Sequence, residues 1–222
     1  MSDLITAAQL QRFSPKCDFL AIAPALNRAA ISRGINTPRR VRHFLAHLHH
    51  ESQGFTRLEE NLSYSAERLC AVWPRRFPTL ASAKPYARNP RALAEKVYGG
   101  RMGNVRPGDG WKFRGGGLIM CTGYDNWARA EAWSGLPLLE TPELGRQVGP
   151  AAEVAAAFWQ AEGLNEIVAA DAGERAIADI ATRIKLNETD DLIEGTEEIN
   201  GGRIGLEDRG KQLLRASFIW PD

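Results

Sequence analysis

The sequence predicts a mainly α-helical protein built as a single domain of 222 residues. Three observations carry that expectation. Apolar residues recur at helical spacing along most of the chain. Capping residues and prolines stand where those segments begin. No stretch shows the apolar–polar alternation of a half-buried strand. With 44% hydrophobic and 25% charged residues, the chain can bury a sizeable core.

The elements follow in order. Residues 3–12 read as a short helix ending before Ser14-Pro15, and residues 18–33 as a second, stopped by Gly34. Thr37-Pro38 supplies a capping hydroxyl and a proline at the first helical position. Val41, Phe44, Leu45 and Leu48 then make residues 38–50 an amphipathic helix, ended by Gly54. Residues 65–72 form a short helix closed by Trp73-Pro74, and residues 74–89 are irregular. Asn89-Pro90 opens the next helix, closed by Gly99-Gly100. Residues 103–117 hold six glycines around Trp111 and Phe113. Leu118 to Cys121 is the one strand candidate, and Thr122 to Asp125 resembles a capping box that opens a helix to about Trp133. Thr141-Pro142-Glu143 starts another helix, and residues 150–161 are alanine-rich with Phe158 and Trp159. Residues 174–186 place Ile177, Ile180 and Ile184 on one stripe, residues 188–198 are acidic, and Asn200-Gly201-Gly202 breaks the chain. Residues 206–219 form a last helix, with Leu213, Leu214 and Phe218 expected inward. No internal repeat is present.

Composition removes several classes of function. With 28 basic and 27 acidic side chains the net charge is +1, so bulk charge recruits no nucleic acid. No run approaches the ~20 apolar residues of a membrane span, so no stable membrane insertion is expected. The opening MSDLITAAQLQRF carries Asp3 and lacks the basic start and apolar core of a signal peptide. Cys17, Cys70 and Cys121 are odd in number and widely spaced, which predicts buried free thiols in a reducing compartment. No exposed heptad argues for more than a monomer.

Candidate chemistry concentrates in a short segment. Phe44, Leu48 and Glu51 are spaced i, i+4, i+7, so Glu51 falls on the apolar stripe at a helix end. A carboxyl in apolar surroundings loses hydration, holds its proton at higher pH and suits a general acid. The alternative is a glutamate at a frayed end, turned to water. Glu59 and Glu60 follow across a short loop and permit a two-carboxylate site, or form a solvated acidic pair. All four histidines, His43, His47, His49 and His50, lie beside Glu51. HHESQG superficially resembles a zinc-protease helix, but Gly54 stands where the second ligand belongs, and no later histidine exists. His50 or His47 is expected to support the site by hydrogen bonding, with the others at the surface. GDGWKFRGGG lacks the ending of a phosphate loop, so its glycines and aromatics suit close approach to a sugar ring, or plain inward packing. A serine nucleophile would lack both its motif and a downstream histidine.

Several separated motifs occur together: HFLAHLHHESQGFTRLEENLSYSAERL (43–69), YARNP (86–90), VYGGRMGN (97–104), GDGWKFRGGGLIMCTGYDNW (108–127), AAFWQ (156–160) and INGG (199–202). Over roughly residues 40–215 this ordered set resembles the lysozyme-like enzymes of glycoside hydrolase family 19, which include chitinases and many bacteriophage endolysins. The compact glutamate spacing and ENLSYSAE are similar to the endolysin branch. The resemblance implies a two-lobed lysozyme-like helical domain with at most a small β element, spanning residues 1–222, with the N-terminal helices of residues 1–36 a candidate peripheral addition.

It also implies roles. Glu51 matches the general acid and Glu60 the general base, with Glu59 the second choice within the pair. Thr122 matches a hydroxyl that holds the attacking water. Tyr98 and Trp111, in their matching motifs, and His50 are assigned to substrate, as are Asn126, Asn200 and Arg209, the last matching an arginine near the acid–base pair. The family inverts at the anomeric carbon, which requires carboxyls roughly 6.5–9.5 Å apart. Such a displacement by water calls for no cofactor and no metal. The implied substrate is the peptidoglycan glycan strand, with chitin oligomers the alternative substrate and a decayed glycan-binding module the alternative class. The expected location is the host cytoplasm until a holin opens the way to the cell wall. Two departures stand out: Gly116 replaces an arginine and Met120 a sugar-binding glutamine, with Arg114 a candidate to reach into the space at residue 116 and contact substrate.

Overall fold

The computed structural model describes residues 3–170 and 206–221. Helices dominate. They are α1 (Ala7–Phe13), α2 (Phe19–Ser32), α3 (Pro38–Glu51), α4 (Ala66–Val72), α5 (Leu80–Ala83), α6 (Pro90–Tyr98), α7 (Asp109–Lys112), α8 (Tyr124–Ser134), α9 (Val148–Ala161), α10 (Leu164–Ala170) and α11 (Leu206–Ser217), with 3-10 turns at Lys84–Tyr86 and Pro142–Arg146. Most begin where the sequence expects. Thr6, Asp18, Thr37, Ser65 and Asn89 each accept a backbone N–H with the side chain at a helix start. The expected helix over 174–186 and the acidic stretch 188–198 lie outside the described residues.

Two hydrophobic cores divide the molecule. The larger gathers α1, α2, α3, α8, α9 and α10 with the end of α11, around Phe13, Leu26, Phe44, Leu45, Trp127, Phe158 and Trp159. The smaller packs α4, α5 and α6 around Leu69, Trp73, Phe77, Leu93 and Tyr98. Residues 52–62 cross from one to the other: Phe55 is buried in the larger core and Leu62 in the smaller. The N-terminal helices are an integral part of the larger core, not a peripheral addition. Ile5, Leu10, Phe13 and Leu26 sit inside it, and the Asn27 side chain accepts from the N–H groups of Leu4 and Ile5. The other chain end closes on the same region, where Trp220 Nε1 donates to the Leu4 carbonyl and Arg42 donates to the Trp220 carbonyl.

The structure departs from the sequence pattern in several places. Residues 74–89, expected to be irregular, hold α5 and the 3-10 turn Lys84–Tyr86, and Thr141-Pro142 opens a 3-10 turn without a side-chain cap rather than a helix. Residues 118–121 form no strand. Gly117 (φ 77°) and Met120 (φ 49°) turn the chain, and Met120 N–H closes on the Gly117 carbonyl. What remains is a minimal β element, with Gly116 bridged antiparallel to both Glu59 and Cys121. Thr122 does not cap α8. Gly123 holds that position, and the Thr122 hydroxyl donates to the Met120 carbonyl instead. On α11 the inward residues are Arg209 and Ala216, followed by Ile219 and Trp220, whereas Leu214 and Phe218 are 62% and 75% exposed. The histidines also differ, since His43 and His47 are buried and His49 and His50 half-buried, so none is a surface residue. Burial, reinforced by the Arg209 charge, pushes the His47 imidazole well below its usual range and keeps it neutral.

The three cysteines are free. Cys17 and Cys121 are buried and Cys70 half-buried. Burial raises the Cys121 thiol to about 12, which makes it unreactive. Among the described residues no helix is long and apolar enough to cross a membrane.

Candidate active site

Glu51 is delivered by α3, a helix buried on nearly every side. Its amphipathic stripe of Val41, Phe44, Leu45 and Leu48 is fixed in the larger core. Ser52 ends the helix by donating through both N–H and hydroxyl to the Leu48 carbonyl. The chain then turns through three consecutive left-handed residues, Gln53 (φ 51°), Gly54 (φ 74°) and Phe55 (φ 62°). That conformation is unfavourable for the two non-glycine residues. Burial of the Phe55 ring against Phe13 and His49, and its N–H bond to the Ser52 hydroxyl at 2.9 Å, hold it in place. The sharp reversal brings Glu60 to the boundary between the cores.

The Glu51 side chain is 6% exposed and pairs with Arg209, itself 2% exposed. The expected apolar surroundings are therefore corrected: the carboxyl is removed from water but faces a guanidinium. Next to it, His50 Nδ1 lies 2.7 Å from Asp208 Oδ2. Two consecutive residues of α3 are thus joined to two consecutive residues of α11. His50 directs one ring nitrogen at Asp208, which ties it to the helix pairing. That contact, with a bond from Gln212, outweighs burial and holds the Asp208 carboxyl below its usual range.

Glu60 is the better-formed half of the pair. Its Oε2 accepts from the Tyr98 hydroxyl at 2.6 Å, and its Oε1 from the Gly115 N–H. Its own N–H donates to the Gly115 carbonyl at 3.0 Å. Removal from water raises its carboxyl above the usual range, while Tyr98, Gly115, Arg57 and Arg114 pull the other way. Glu59 is different. It is 46% exposed and bound to Arg114 at 2.6 Å. Only Glu60 is both desolvated and oriented, which distinguishes the two acids.

Thr122 completes this half of the site. A Cβ placed on Gly115 would stand 3.1 Å from Thr122 Oγ1 and 3.2 Å from the Glu60 carboxyl carbon, so the hydroxyl and the carboxyl flank one glycine. Asn126 begins the next helix, where its amide donates to the Thr122 carbonyl and its oxygen accepts from Arg129.

Other assignments change. Tyr98 is buried on Glu60 rather than open to a sugar. Arg114 is folded over the Trp111 ring at 3.9 Å and anchored by Glu59, so one face of that indole is covered. Phe113 packs inward against Tyr124. Asn200 lies outside the described residues. Among the described residues no three His, Cys, Asp or Glu side chains converge as a metal site, and the α3 histidines form none. One residue of the site escaped the sequence pattern: Asp208 carries only a charge beside Arg209.

No family model matches the chain. A glycosyl hydrolase family 19 domain-containing protein of Haemophilus influenzae is 35% identical over 178 residues, which span 79% of this chain and 77% of that protein. Chitinase C from Streptomyces griseus HUT6037 superposes with a TM-score of 0.60 at 18% identity, covering 99% of this chain and 78% of that one. A bacterial family 19 chitinase gives 0.59 at 18% identity, covering 98% of this chain and 95% of its own.

Proposed function

The chain belongs to glycosyl hydrolase family 19, and from that membership we propose that it cleaves β-1,4 bonds of peptidoglycan by direct displacement with water. As a glycoside hydrolase it needs a proton for the departing oxygen and a base for the incoming water. Glu51 is assigned the first task. Arg209 engages its Oε1, so the transferable proton belongs on Oε2. Glu60 is assigned the second, with Thr122 holding the water. The water oxygen bonds to the anomeric carbon as the bond to the leaving sugar oxygen breaks. Glu60 takes the water proton, and Glu51 gives its own to the leaving oxygen. The observation that carries this reading is the half-buried Glu60 carboxyl, gripped by Tyr98 and Gly115 and adjacent to the Thr122 hydroxyl.

Peptidoglycan is preferred for the short span between Glu51 and Glu60 and the ENLSYSAE segment, both similar to wall-degrading members. In this reading the enzyme meets the wall after a holin opens the membrane. Chitin oligomers are the second reading, favoured by the chitinases among its structural neighbours. Reducing ends released from purified Gram-negative sacculi and from chitin oligomers decide between them. Faster release from sacculi is expected. Cleavage of chitin oligomers with intact sacculi would overturn the peptidoglycan assignment.

A further inference from the structure

We propose that Arg146 is a positioning residue for Glu60, acting through the peptide group that joins Arg114 to Gly115. Its consequence for turnover rests on the reading of Glu60 as the base. Arg146 ends the 3-10 turn at Pro142–Arg146, with its side chain 6% exposed and its guanidinium 5.3 Å from the Trp127 ring. Nη2 donates to the Lys112 carbonyl at 3.1 Å and to the Arg114 carbonyl at 2.9 Å. The Arg114 carbonyl and the Gly115 N–H are two ends of one planar peptide unit. That N–H is the donor to Glu60. A cation therefore holds the oxygen end and a carboxylate the nitrogen end. Charge at the carbonyl oxygen polarises the amide and strengthens its N–H as a donor.

The packing is specific to this arrangement. A Cβ on Gly116 would stand 2.8 Å from Arg146 Cγ and 2.9 Å from its Nε. Gly116 is not in the left-handed region, so space rather than backbone conformation demands glycine there. A side chain from residue 116 and the side chain of Arg146 claim one volume. The space expected for Arg114 is thus filled by Arg146, while Arg114 turns to Glu59 and Trp111. Arg146 Nε is buried with no hydrogen-bond partner among the described residues. An incompletely satisfied buried guanidinium is a poor device for stability alone.

The charged surroundings are defined. Glu60 faces Tyr98 of α6, Arg57 of the crossing segment and Arg114 of the glycine loop. Arg146 faces Arg114, Glu143, Glu59 and Glu60. The test is a carboxyl-carbon NMR titration of Glu60 in the full chain, beside the pH profile of kcat. In Arg146→Ala the Glu60 midpoint should rise by roughly half to one pH unit, the size expected when a charged contact is weakened. The acid limb of kcat should move with it, and KM should change little. Gly116→Arg combined with Arg146→Ala returns an arginine to the same volume and should restore both. A folded Arg146→Ala with an unmoved Glu60 midpoint overturns the proposal, as does a folded double variant without recovery. If Arg146→Ala does not fold, Arg146→Lys serves. Lysine keeps the charge that faces Glu60 but cannot match the two-carbonyl grip, so the midpoint should still rise, by less. An unmoved midpoint in Arg146→Lys, whatever Arg146→Ala does, reports direct charge alone and overturns the proposal. A shifted midpoint with an unchanged rate profile upholds the positioning and refutes Glu60 as the base.

Discussion

Glu51→Gln should lower kcat by about 10²–10⁴-fold and leave the melting temperature little changed. The loss in rate follows from the missing proton, because an amide cannot protonate the leaving oxygen. Glutamine matches the proton-bearing acid in shape and charge, and its amide oxygen still accepts from Arg209. Steady-state kinetics and a thermal melt on the same sample check both effects. Wild-type kcat in the variant would remove Glu51 from the mechanism.

Glu60→Gln should reduce kcat by a comparable factor and, unlike Glu51→Gln, raise stability. Glu60 has a raised folded-state pKa, the reverse of the usual carboxylate case. Below the unfolded pKa the group is protonated in both states and contributes nothing. As pH rises through the folded value, the native state must hold a desolvated anion, and stability is lost. Glutamine removes that charge while its amide remains able to satisfy Tyr98 and Gly115. At neutral pH the variant should therefore melt at or above the wild type, and the difference should vanish below the ordinary carboxylate range. The same sign governs the wild-type rate: a base must be ionised, so activity should fade as pH drops through a value above the usual glutamate range. A stability gain confined to Glu60→Gln separates the roles more sharply than rate losses alone. A melting temperature lowered by Glu60→Gln at neutral pH would contradict the environment described for it.

Much of the helical frame was legible because its signals are local. Thr37-Pro38 and Asn89-Pro90 open α3 and α6 as their capping chemistry requires. The nearness of two acids to a helix end was legible too, and it located the site. What escaped depends on contacts distant in sequence. The resemblance puts Arg209 near the acid–base pair, but helical spacing alone sets the inward face of α11 on Leu213, Leu214 and Phe218. The ion pair with Glu51 turns the Arg209 face inward instead. Leu118 to Cys121 has strand-like composition, but left-handed residues at Gly117 and Met120 wrap it into a turn. Tyr98 reads as a sugar-facing aromatic only until Glu60 is seen beneath its hydroxyl. Gly116 reads as a loss until Arg146 is found in the space above it.

The most direct test of the displacement mechanism is the proton NMR spectrum of the first sugar product, recorded before mutarotation equilibrates it. A water activated by Glu60 opposite the leaving group should release the α-anomer from a β-linked glycan. Initial release of the β-anomer would contradict the assignment of Glu51 and Glu60 as an acid–base pair working across one attacking water.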